Sequence, residues 1–194
     1  MSKRRFPAKK LAALGVLTAL GLIAFLIENL FPPLFIPGAK LGLANAFSFA
    51  ALIIYSPAEA FIVVAVRTLL GAVFAGNLSQ VMYSFTGGMV SLAAGSLLLY
   101  LVHPKISVTS ISVISAVLHN LTQNAVFVLV SSTPLAFAYA PYLMALGALS
   151  GAFIGLTVTL LIKRIPTATF TKLISSEKKY NDKTITQEVK VESN

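Results

Sequence analysis

MSKRRFPAKKLAALGVLTALGLIAFLIEN, residues 1–29, places Lys3, Arg4, Arg5, Lys9 and Lys10 ahead of an apolar run that continues from Leu11 to Ile27. Such a run looks like the core of a secretory signal, but it is longer than a usual signal core and no convincing small-x-small cleavage site follows it. A retained first membrane helix over about 10–29 is therefore expected. The basic flank gives it a direction, because Lys and Arg concentrate on the cytoplasmic side of membrane helices.

The pattern repeats downstream. Of the 194 residues, 57% are hydrophobic and 11% charged, and the mean hydropathy is +0.86. A soluble domain carries about a quarter charged residues, so an ordinary soluble fold is excluded. The expected class is all-α: an integral membrane bundle of six transmembrane helices with both termini cytoplasmic. After the first helix come a Pro- and Gly-rich loop over 31–40 and further helices over 41–55, 57–75, 84–102, 108–130 and 141–162. The third starts at Ser56-Pro57-Ala58-Glu59, with Ser as N-cap, Pro at the first position and Glu three residues after the cap. The stretch 76–83 is expected to be a turn and 131–140 a loop. This divides the chain into a basic head (1–10), a membrane domain (11–163) and a polar, disordered tail (164–194).

Charge placement supports that topology. With the N-terminus inside, thirteen Lys and Arg residues fall in internal segments and only Lys40 in an external loop. The net charge of +9 thus reports orientation in a lipid bilayer, not nucleic-acid binding. There is no Cys, the only histidines are His103 and His119, and Asp182 is the sole aspartate. Neither a metal site nor a cofactor is expected. No Gly-rich phosphate loop with a Lys and no Ser/His/Asp set is present, so no enzyme activity is expected.

Polar groups inside apolar spans carry an insertion cost, which makes them the candidates for function. Arg67 falls in the middle of the third span. It is either a structural arginine bonded to neighbouring helices or part of a ligand site, with Glu28 and Glu59 as candidate counter-ions. In the fifth span, His119, Asn120, Gln123 and Asn124 are spaced i, i+1, i+4 and i+5, which gathers them in one stripe. Four such side chains would not face lipid. They are expected to point inward, as interhelical bonds or as the wall of a polar ligand cavity. Lys40, Asn45, Asn77, Gln80, Tyr83 and Thr86 lie toward the outer side and complete the candidate ligand set. Gly15 and Ala19 form a small-xxx-small pair in the first helix, suited to close helix contact.

Four segments carry a family likeness: Pro37-Gly38-Ala39-Lys40-Leu41-Gly42-Leu43-Ala44-Asn45, Arg67-Thr68-Leu69-Leu70-Gly71, Ser84-Phe85-Thr86-Gly87-Gly88-Met89-Val90-Ser91 and His119-Asn120-Leu121-Thr122-Gln123. Over about 10–163 the chain resembles the bacterial Gx transporter family, also labelled heptaprenyl diphosphate synthase component I. That family is similar to the S components of energy-coupling factor (ECF) transporters, six-helix proteins that bind a vitamin-like solute from outside. The resemblance implies a small-molecule solute, a transmembrane coupling subunit and two cytoplasmic ATPases as partners. It also implies a gate in the first loop and docking of the coupling subunit on the first helix. Those proteins dock through Ala-x-x-x-Ala, from which Gly15-x-x-x-Ala19 departs. The synthase label implies instead an accessory role in making the isoprenoid tail of menaquinone. The chain lacks the Asp-rich motifs of catalytic prenyl synthases.

Overall fold

The computed structural model describes residues 8–30, 42–76, 79–103 and 105–164, and among them regular structure is helical throughout. Six α-helices follow in order: α1 (Ala8–Leu30), α2 (Leu43–Ile54), α3 (Pro57–Ala75), α4 (Ser79–Leu101), α5 (Val108–Ser131) and α6 (Ala140–Arg164). A short 3-10 helix, Pro134–Tyr139, precedes α6 where a plain loop was expected. The boundaries have local causes. Pro57 opens α3 after extended Ser56, and Gly76 closes it in the left-handed region, at φ 64°. The Ser56 hydroxyl bonds the Glu59 carboxylate, not the backbone, so the expected capping box is half replaced by a side-chain pair. Ser107 caps α5 by accepting the Ser110 N–H at 3.0 Å.

Two expectations need correction. α4 starts at Ser79, so the stretch to Tyr83 is helix and not turn. Gln80 and Met82 are good helix formers, and the polarity that looked like a turn is a helix start. α1 also starts at Ala8, two residues before the expected start near Lys10. The expected tail lies outside the described residues beyond Arg164. One compact unit runs from Met1 to Thr159, and the second, from Leu160, begins with the closing residues of α6.

Five of the helices are long and apolar enough to cross a membrane. α2 is the exception: its 12 residues measure about 18 Å, against about 30 Å of hydrocarbon. Its neighbours nevertheless make it the return stroke between two parallel helices. Lys10 at the start of α1 meets Glu59 at the start of α3, with Nζ to Oε1 at 2.8 Å. Further along, Gly21 lies against Arg67 and Phe25 against Gly71. α1 and α3 therefore run the same way, and α2 carries the chain back between them.

Around an apolar core, the burial pattern adds buried polar groups and many exposed large apolar side chains. Leu11, Ile23, Leu69, Phe74, Leu129 and Phe153 are exposed, while Ser48, Arg67, Ser112, Ser115, His119, Asn120 and Asn124 are buried. Apolar outer faces suit acyl chains, and the polar groups turn inward. Close backbone contact holds the second half together. On α6, Gly147, Gly151 and Gly155 recur every four residues and lie against the Cα atoms of Val117, Val113 and Thr109 on antiparallel α5. A Cβ on Gly151 would stand 2.6 Å from the Val113 Cα, so only glycine permits the approach.

Candidate ligand-binding site

Arg67 is 2% exposed and its stem crosses α1 at Gly21, where a Cβ would stand 2.8 Å from the arginine Cδ. Its Nη2 donates to Asn45 Oδ1 at 3.0 Å. Its Nε is buried and has no hydrogen-bond partner among the described residues. An uncompensated arginine at mid-span costs roughly 2.5–3.5 kcal/mol on insertion scales. The charge-assisted bond to Asn45 and the field of Glu28 offset part of that cost.

Glu28 has a second task. Its Oε1 accepts the N–H of Leu43 at 3.1 Å, at the start of α2, where Gly42 provides no side-chain cap. Gly42 holds φ 73°, a conformation that a Cβ disfavours. A carboxylate from α1 thus takes the place of an N-cap on α2, where the helix dipole favours negative charge. The first turn of α2 is held from both sides, by Glu28 at Leu43 and by Arg67 at Asn45.

Glu59, the other candidate counter-ion, pairs with Lys10 and Ser56. It sits in the first turn of α3, eight residues before Arg67, which is about 12 Å along the axis. Lys10 Nζ also stands 5.8 Å from the Tyr55 ring centre.

The α5 stripe is buried as expected at His119, Asn120 and Asn124, with Gln123 half-buried. Asn120 Nδ2 donates to the Leu143 carbonyl of α6 at 3.0 Å, which gives that residue a structural task. His119 and Gln123 pack on Gly87 of α4. One turn away, the Tyr83 ring meets Phe127 edge-on, with centroids 5.9 Å apart. Thr86 bonds the Met82 carbonyl of its own helix at 2.6 Å. The hydrogen bond described for Arg67 goes to α2 and not to this stripe. Between α2 and the earlier turns of α5 lies a cavity of about 20 Å³, lined among others by Asn45, Ser48, Ser112 and Ser115.

Lys40 and Asn77 lie outside the described residues, and Gln80 falls in the first turn of α4. Gly15 and Ala19 are exposed, and nothing lies within 4 Å of a Cβ placed on Gly15. Among the described residues, no group of three His, Asp or Glu is positioned to hold a metal ion. Sequence reasoning missed the buried serines, although Ser112 and Ser115 extend the His119 stripe at i−7 and i−4. It also missed the glycine series of α6, a four-residue repeat visible in the sequence.

A bundle with lipid-facing apolar surfaces and a buried arginine, histidine and asparagines is a multi-pass α-helical membrane protein. This chain belongs to the heptaprenyl diphosphate synthase component I family, whose model matches residues 17–161. The match contains every candidate site residue except Gly15. A comparison with curated proteins finds no match.

Proposed function

We propose that the chain is a solute-binding membrane subunit without catalytic activity, similar to an ECF S component, that takes up a small vitamin-like or quinone-precursor solute. The observation that supports this most is Arg67. It is fully buried and is hydrogen-bonded to a neutral partner, with Nε still able to donate. A small solute with acceptor oxygens suits that donor. Asn45 would release or share the guanidinium as the solute arrives. Tyr83, Thr86, His119, Gln123 and Asn124 are proposed to line the path, joined by Lys40, Asn77 and Gln80. The exposed Gly15–Ala19 face would receive a coupling subunit, which works with cytoplasmic ATPases. The membrane is proposed to be the bacterial cytoplasmic one, with both termini inside.

Mass spectrometry of small molecules carried through purification tests the proposal, together with thermal shifts against vitamins and quinone precursors. A recurrent ligand whose stabilisation is lost in Arg67→Lys supports it. Repeated recovery of empty protein with no shift from any compound counts against it.

Membership of a family named for a synthase component favours a second reading, a non-catalytic accessory of isoprenoid quinone synthesis. Under it, deleting the gene changes menaquinone tail length, and added solutes do not restore it.

A further inference from the structure

The cavity lined by α2, α4 and α5, with Val64 of α3 and Ile154 of α6, is too small for a solute but has a partly polar wall. Ser48 of α2 is 1% exposed and Ser115 of α5 is 3% exposed, and both line the space. Neither hydroxyl oxygen has a hydrogen-bond partner among the described residues. Ser91 of α4, Ser112 of α5 and Asn45 of α2 add further polar wall. Two orphaned hydroxyls facing one space across a helix boundary are costly unless a shared partner lies between them.

We propose that this cavity is a binding site for one water molecule that bridges the hydroxyls of Ser48 and Ser115. The volume of about 20 Å³ exceeds the roughly 10–15 Å³ that a single water needs. A buried water takes about three hydrogen bonds, and this wall offers at least that many groups. A sodium ion fits the same size but not the same chemistry. No carboxylate lines the space, and α2, α4 and α5 are unbroken helices there, so their carbonyls are committed to helix bonds. Membrane sodium sites draw on unwound carbonyls that this wall does not offer. Arg67 also stands one hydrogen bond away through Asn45, and its charge opposes a cation.

The water has a structural consequence that no direct contact provides. It would tie α2 to α5 in a cavity whose wall also contains Asn45, the hydrogen-bond partner of Arg67. Ser115 lies one turn before His119 on that stripe.

The test uses the full-length protein in detergent, with Ser48→Ala, Ser115→Ala and the double variant followed by thermal unfolding. A bridging water predicts that each single change lowers Tm by a few degrees and that the double change does little more, because the same molecule is lost. In a dry cavity, removing an unpaired hydroxyl relieves a cost, so an unchanged or raised Tm overturns the proposal. Melting in sodium chloride and in choline chloride is expected to give the same Tm. A rise specific to sodium assigns the site to a cation and also overturns it. Should the variants fail to fold, a high-resolution structure of the unmodified protein decides. Density within hydrogen-bond distance of both hydroxyls supports the water, and none there rejects it.

Discussion

The Glu28 carboxylate of α1 accepts the backbone N–H of Leu43, so the first turn of α2 is capped by a residue fifteen positions earlier on another helix. Most helices are capped by their own chain immediately before the first turn. Here that position is Gly42, whose conformation suits the turn but which has no side chain to offer.

Glu28→Ala is therefore expected to destabilise the protein by about 0.5–2 kcal/mol, the range for losing an N-cap. Glu28→Gln keeps an acceptor oxygen and is expected to lose less. Thermal unfolding of the purified variants measures both. Equal melting of the Glu28→Ala variant and the parent would show that the Leu43 N–H has another acceptor.

Arg67→Ala leaves the half-buried Asn45 side chain without its charged donor, and is expected to lower stability by about 1 kcal/mol or more. Arg67→Lys keeps the charge but loses the planar fork of donors. Its expected signature is a fold retained with ligand-induced stabilisation lost. A lysine variant that binds the solute as well as the parent would remove Arg67 from the site.

Two glycines separate packing from docking. At Gly151 any side chain meets the α5 backbone, so Gly151→Leu is expected to prevent normal folding or to lower stability by more than the roughly 1–3 kcal/mol of ordinary overpacking. Gly15 faces open space, and Gly15→Leu is expected to stay within about 0.5 kcal/mol of the parent. Uptake assays on the second variant then test the proposed docking of a coupling subunit on this face. A Gly15→Leu protein that melts early would place that face inside the bundle.

The Lys10–Glu59 pair is enclosed, with side chains 11% and 8% exposed. A double-mutant cycle with Lys10→Met and Glu59→Gln is expected to give a coupling of about 0.5–3 kcal/mol. Additive effects would mean that each residue acts through its other neighbours, Tyr55 and Ser56.

The helices were readable because length and hydropathy carry them directly, and Ser56-Pro57 and Gly76 mark the α3 ends closely. The family was readable from motifs on α3, α4 and α5 and from one that runs into the first turn of α2. The partner of Glu59 was not. Axial distance separates it from Arg67, and the parallel course of α1 and α3 brings Lys10 to it instead. The serines were passed over because a hydroxyl on an apolar helix commonly bonds its own backbone, as Thr18, Thr68 and Ser96 do here. Only the three-dimensional arrangement of α2, α4 and α5 around one cavity shows that Ser48 and Ser115 face the same space.

The shortness of α2 also decides where solvent can go. About 18 Å of helix cannot reach across about 30 Å of hydrocarbon, so at least one end of α2 stops inside the layer. Peptide groups there cannot be left against acyl chains. The Leu43 end receives the Glu28 carboxylate, and Asn45 in its first turn accepts a hydrogen bond from Arg67 of α3. Under the proposed topology that end faces the outer side, and a wet path reaching it would meet the Arg67 guanidinium at Asn45.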